Sequence, residues 1–121
     1  MLFRSNPITL SYSIFQFDAL MRRPNVYGRW MFERIARDWG YMLRSGATAF
    51  WETIRGEEDF DGAGSLCHGW SAVPIYCYFA YGLGLRPAAP GFGEYSVRPV
   101  RGGPSGMNGR VLRSDGSVID L

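Results

Sequence analysis

Residues 46–72 contain nearly all the side chains of this sequence that can perform or support chemistry. The stretch begins with the adjacent pair Trp51 and Glu52, continues through an acidic glycine-rich segment, and ends in a Ser-Leu-Cys-His-Gly-Trp-Ser run that includes His68 and Trp70. Indole rings pack against the C–H face of a pyranose, and carboxylate and imidazole groups bind its hydroxyls. The combination is typical of a sugar-binding pocket.

Other chemistries fit the same residues less well. Cys67 beside His68 resembles a thiol hydrolase pair, but adjacent side chains on a helix diverge by about 100° and do not face each other. Two cysteines and one histidine do not complete a tetrahedral zinc site without acidic help. The glycine-rich segments at 82–84 and 101–106 lack the Lys-Ser/Thr that follows a phosphate-binding loop. We therefore expect neither a metal ion nor a cofactor.

Each candidate residue also has a purely structural interpretation. Glu52 can be a solvated loop carboxylate, and His68 can be a histidine satisfied within the fold. Trp51 and Trp70 can belong to the packing instead of to a stacking platform for a sugar. The acidic residues between them are most simply a solvated turn that comprises Glu57, Glu58, Asp59 and Asp61. In the alternative, Asp59 or Asp61 contacts a sugar or a cation.

Length, charge and composition bound the class of protein. A chain of 121 residues with 46% hydrophobic and 20% charged residues corresponds to one ordinary globular domain. A net charge of +2 without a basic run does not indicate nucleic-acid binding. The longest apolar run, residues 71–85, is shorter than a membrane span and interrupted by proline and glycine. With no signal peptide at the start and no cysteine pair that can bridge, we expect a cytoplasmic protein without a membrane partner.

Two helices with apolar residues at helical spacing precede the candidate site. Apolar residues at helical spacing predict a helix over residues 9–22, and Pro24 ends the pattern. Asn25 is a suitable cap for a second helix that extends to about Ser45, with Gly46 as its stop. Its predicted buried positions, which include two tryptophans expected in the core, are Val26, Trp30, Met31, Ile35, Trp39, Met42 and Leu43.

A third helix and several strands are predicted after the site. Residues 67–83 are apolar nearly all round, which predicts a helix buried on most sides that carries both Cys67 and Cys77. The residues after Gly84 are expected to be extended, and residues 95–100 to contain a strand. Residues 111–112 and 118–121, joined by a Ser-Asp-Gly turn, predict a β-hairpin, which gives three strands in one sheet.

Several segments, in this order, resemble bacterial α-L-rhamnosidases of glycoside hydrolase family 78. They are Gly46–Glu52, Ser65–Ala72, Leu83–Pro87 and Pro90–Phe92, with Arg98-Pro99 in the same register. The resemblance implies a mainly α fold: the terminal helices of an (α/α)6 barrel of the six-hairpin glycosidase type, followed by the first strands of a C-terminal β-sandwich. It implies that residues 1–92 belong to the barrel and residues 93–121 to the sandwich.

The resemblance also implies a chemistry. Family members hydrolyse terminal α-L-rhamnosides with inversion, using one carboxylic acid and one carboxylate base that activates water. Glu52 corresponds to the general base, and Trp51, His68 and Trp70 to substrate-binding residues. The family's general acid lies upstream of any segment present here. The chain is therefore expected to be a C-terminal fragment, inactive alone, whose partners are a rhamnoside substrate and the missing N-terminal part.

Two alternatives stay open. The chain can be a small non-catalytic protein that binds carbohydrate, or completes a partner chain, on a scaffold derived from a glycosidase. Related six-hairpin barrels also cleave other glycosides, and no residue between 46 and 72 fixes the 6-deoxy group of rhamnose.

Overall fold

The computed structural model describes residues 9–121. About 48% of these residues are helical and 11% lie in strands, which form two small antiparallel sheets. The expectation of a mainly α chain with some β structure is therefore confirmed. Within residues 9–121, no helix combines the length and the apolar content that crossing a bilayer requires.

Two α-helices open the described chain, as the sequence predicts. A 3₁₀ turn at Leu10–Tyr12 leads into α1, Ser13–Leu20, and α2 extends over Pro24–Arg44. Asn25 is not the cap of α2, because the helix already begins at Pro24. Proline suits a first helical position, since its missing N–H has no intrahelical partner there in any case.

The predicted apolar stripes are only partly buried. Phe17, Met31 and Trp39 are at most 5% exposed and belong to the core. Trp30 was expected there too, but 39% of it is exposed, and Leu43 is 73% exposed. Helical spacing identifies the apolar face of a helix, but it does not show over which residues the rest of the protein covers that face.

The third helix is shorter than predicted. A 3₁₀ turn at Gly69–Ser71 precedes α3, Val73–Cys77, which continues as a π-helical turn at Tyr78–Gly82. Cys67 therefore lies outside the helix that contains Cys77. Cys67 is exposed, Cys77 is buried, and neither forms a disulfide within the described residues.

The third helix is buried on most sides, as expected, but one side of it is exposed. Ile75 is 54% exposed and Tyr76 is 45% exposed. Although α3 is apolar on every face, the protein does not cover every face, and these two large side chains lie at the surface.

The strands form two separate pairs instead of one sheet of three. β1, Leu85–Pro87, pairs antiparallel with β2, Tyr95–Val97. β3, Arg110–Leu112, pairs antiparallel with β4, Val118–Asp120, which confirms the predicted hairpin. The extended segment predicted after Gly84 is itself a strand, and its pairing with β2 is the contact that the sequence pattern did not reveal.

By its internal packing the chain divides into two compact units, each made of two stretches. Unit 1 comprises Met1–Ala19 and Glu33–Val73, and unit 2 comprises Leu20–Phe32 and Pro74–Leu121. All four predicted site residues fall in unit 1. The boundary between residues 92 and 93 concerns the domains of the resembled family and stays a prediction.

Candidate functional site

Backbone hydrogen bonds join the two segments that carry the predicted site residues. The Glu52 amide donates to the Ser65 carbonyl at 2.8 Å, and the His68 amide donates to the Phe50 carbonyl at 2.7 Å. Residues 50–52 and 65–68 therefore run antiparallel and enclose the acidic loop between them. The Trp-Glu pair and the Cys-His segment, distant in sequence, are neighbours in the fold.

Glu52 is half-buried and held from two sides. Its Oε2 accepts a hydrogen bond from the Ser65 amide at 3.2 Å, and its carbonyl accepts one from the Leu10 amide at 2.7 Å. Among residues 9–121, no donor lies within hydrogen-bonding distance of Oε1. One carboxylate oxygen is thus anchored, and the other can bind a water molecule or a hydroxyl.

Trp51 packs over the turn that follows it. Gly56 has φ of +59°, and a Cβ on it would lie 2.6 Å from Leu66 Cδ2 and 3.0 Å from Trp51 Cε3. Only glycine allows both this left-handed backbone and such a close approach. One side of the half-buried indole therefore contacts protein, which limits any sugar contact by Trp51 to its other side.

His68 and Trp70 lie side by side at the end of the paired segments. Their ring centroids are 6.1 Å apart in an edge-to-face arrangement, with an interplanar angle of 74°. Trp70 is 83% exposed, so its face is open to a ligand. His68 Nε2 is buried, and no residue among those described makes a hydrogen bond to it. The open indole can bind the face of a sugar, and the buried imidazole packs beside it.

The acidic loop is not a simple solvated turn. Glu57, Glu58 and Asp61 are exposed, but Asp59 is buried and accepts a hydrogen bond from Arg55 Nε at 2.9 Å. The amides of two glycines in the loop donate to the Asp59 carbonyl. Asp59 therefore closes the loop from within, which is a structural role and not a sugar contact.

Charge keeps Asp59 ionised despite its burial. Burial alone would raise the pKa of Asp59, but hydrogen bonds from Thr53 and Arg55, together with the Arg55 charge, outweigh it and lower that pKa below its ordinary value. The ion pair thus supports the segment that begins at Glu52.

Sequence patterns did not reveal the contact that fixes the end of the site. Trp39 Nε1 in α2 donates to the Ser71 carbonyl at 2.8 Å, and both residues are buried. This bond joins α2 to the 3₁₀ turn that contains Trp70. Its acceptor is a backbone carbonyl, which has no signature in the sequence.

Among residues 9–121, no three His, Cys, Asp or Glu side chains are grouped as a metal site would require. A comparison of the sequence with models of known protein families finds no match. A comparison with curated proteins finds none either. The assignment of a function therefore depends on the residues and their geometry.

Proposed function

We propose that this chain is the C-terminal part of an α-L-rhamnosidase-like glycoside hydrolase of the six-hairpin type, in which Glu52 is the general base. The observation that supports this most is the antiparallel pairing of residues 50–52 with residues 65–68. It brings together the two segments with the most specific resemblance. It also leaves a half-buried carboxylate with one anchored oxygen beside them.

In the proposed reaction, Glu52 accepts a proton from water as that water attacks the anomeric carbon with inversion. The hydrogen bond from the Ser65 amide orients the carboxylate, as a general base requires. The sugar stacks on Trp70, and His68 and the outer side of Trp51 line the pocket beside it. The general acid comes from the N-terminal part of the intact enzyme.

An activated substrate tests Glu52 without the missing acid. The 2,4-dinitrophenolate group leaves without protonation, so 2,4-dinitrophenyl α-L-rhamnoside depends on the base alone. We expect the chain to hydrolyse it above the buffer rate, and methyl α-L-rhamnoside not at all. Glu52→Gln should lower the enzymatic rate by about 100-fold or more, the usual contribution of general base catalysis. Glu57→Gln, an exposed carboxylate of the same loop, is the matched control and should retain the rate.

Three results would contradict parts of this proposal. Equal rates for the unmodified chain and Glu52→Gln would exclude Glu52 as the base. Rapid cleavage of methyl α-L-rhamnoside would show that the chain needs no further acid. Activity only with dinitrophenyl glycosides of another sugar would keep the mechanism and reject rhamnose as the substrate.

The exposure of Trp70 favours the second candidate, a non-catalytic carbohydrate-binding protein. Saturation-transfer NMR with L-rhamnose distinguishes the two. Binding that is lost in Trp70→Ala and retained in Glu52→Gln, without hydrolysis of the activated substrate, would favour carbohydrate binding alone.

A further inference from the structure

Unit 2 contains a cavity of about 470 Å³ that is separate from the candidate site. Its walls come from α3 and its π-helical turn, from β1, and from two side chains further along the chain, Phe92 and Val111. This volume falls within the range of pockets that hold small organic ligands. The lining is predominantly apolar, with Tyr76 and Phe79 as its aromatic residues on the helical side.

The π-helical turn shapes this wall. The Leu83 amide donates to the Tyr78 carbonyl, five residues earlier, at 2.8 Å. This wider turn contributes Phe79 and Ala80 to the lining, and Gly84, with φ of +75°, leads the chain into β1, whose three residues also line the cavity. Isolated π-helical turns occur frequently at functional sites.

Arg86 is the charged residue of this lining, and no acidic residue accompanies it there. Its Nε donates to the Ala80 carbonyl at 3.3 Å, and its guanidinium lies 4.4 Å from the centroid of the Tyr81 ring. Tyr81 is itself 2% exposed and packs edge-to-face against Tyr76 at 5.8 Å. The guanidinium is thus fixed in one plane, and its two Nη atoms donate to no residue among those described.

We infer that this cavity binds a small apolar carboxylic acid, with an aromatic or branched hydrocarbon body and a single carboxylate. The body lies against Phe79, Phe92 and Leu85, and the carboxylate accepts hydrogen bonds from the Nη atoms of Arg86. A planar guanidinium matches a carboxylate in geometry and charge, which favours an acid over a neutral ligand of the same shape. This inference does not depend on the proposed glycoside chemistry, because none of its residues belongs to that site.

Two isosteric probes test the inference on the unmodified chain. Titration of 15N-labelled protein with 2-naphthylacetate should give saturable amide shifts at residues 75–86, Phe92 and Val111. The neutral 2-naphthylacetamide should bind about tenfold more weakly, as expected for the loss of one charge-assisted contact. L-Rhamnose should leave these shifts unchanged, which separates this cavity from the proposed sugar site.

Variants identify the cation. Arg86→Gln should bind the acid and the amide equally, whereas Arg110→Gln, an exposed arginine on β3 outside the lining, should keep the tenfold preference. Equal affinities of the unmodified chain for the two probes, or no saturable shift at the lining residues, would overturn the inference, and neither result depends on a variant. A preference for the acid that persists in Arg86→Gln would overturn it as well.

Discussion

A buried carboxylate lies inside the acidic loop that follows Glu52. Asp59 is 5% exposed and bonded to Arg55, which is largely in solvent. A surface cation adds little through its charge alone because water screens it. The hydrogen bonds to a buried carboxylate are worth more, since losing them leaves polar groups without partners.

Asp59→Asn should lower the free energy of unfolding by about 1–2 kcal/mol at pH 7, because the amide cannot replace the charge-assisted bonds from Arg55. Urea denaturation followed by circular dichroism measures the difference. Asp61→Asn, the same change at an exposed neighbour, is the control and should have little effect. A large loss in the control would point to the turn geometry instead.

The ion pair of Asp59 with Arg55 also makes the free energy of unfolding depend on pH. Because the folded pKa of Asp59 is lowered, its contribution is complete above the unfolded value of about 3.9 and disappears as pH falls through the folded pKa. The difference in unfolding free energy between the unmodified chain and Asp59→Asn should therefore be complete at pH 7 and shrink as the pH falls below the unfolded pKa. Denaturation curves over a series of acidic pH values check this; a constant difference would assign the effect to packing.

Trp39 should be the most sensitive tryptophan of the chain. Trp39→Phe removes the hydrogen bond to the Ser71 carbonyl and leaves space in the core. Together these losses should lower the free energy of unfolding by about 2–4 kcal/mol. Trp30→Phe, at a position 39% exposed, should cost less than about 1 kcal/mol. Denaturation midpoints of the two variants provide the comparison, and equal losses would contradict it.

Single residues show how far sequence patterns reach into the site. Glu52, Trp51, His68 and Trp70 could be selected because their types suit a sugar pocket, and their two segments are indeed paired. The Ser65 amide that holds Glu52 could not be predicted, since a backbone donor leaves no trace in residue type. Asp59 was assigned to a solvated turn because its burial depends on a partner four positions away.

Among the elements, the two helices predicted from periodicity were found near their predicted bounds, whereas the helix predicted from composition was found only over Val73–Cys77 and the π-helical turn that follows it. α2 has a polar face that fixes its period, and Pro24 limits the apolar spacing of α1, so both helices lie near the predicted residues. The third predicted helix lacks such a contrast between a polar and an apolar face. Its first residues instead extend to pair with Phe50, a long-range contact that competes with helix formation. The pairing of β1 with β2 is non-local in the same way.

Gly84 connects the π-helical turn to β1 under two constraints at once. Its φ is +75°, and an added Cβ would lie 2.1 Å from the Arg98 carbonyl carbon. Gly84→Ala should therefore lower the free energy of unfolding by well over the ~1–2 kcal/mol that left-handed strain alone costs. It should also disrupt the pairing of β1 with β2. Gly116→Ala has φ of +82° with open space around it, and should show only that strain. Thermal melting of both variants measures this, and equal shifts would exclude the clash.

Across the whole chain, α2 contributes residues to both compact units, since Leu20–Phe32 and Glu33–Val73 divide it. We expect the two units to unfold together, because melting one half of a continuous helix removes hydrogen bonds from the other. The buried Cys77 thiol reports on unit 2, and Trp39 fluorescence reports on unit 1.

Reaction with a disulfide reagent in increasing urea tests this. Cys67 should react at once, and Cys77 only in step with the loss of Trp39 fluorescence. Cys67→Ser removes the fast phase and serves as the control. Labelling of Cys77 well before the fluorescence change would show independent units.

The contrast between Trp39 and Trp70 also gives this protein an optical property. Trp39, 5% exposed, should emit at the blue edge of the indole band and resist quenching by iodide. Trp70, 83% exposed, should emit near the wavelength of free tryptophan and be quenched readily. A sugar that covers Trp70 therefore protects only the red edge of the emission spectrum from iodide quenching. Ligand binding and unfolding of the core can thus be followed separately in one sample without an added label.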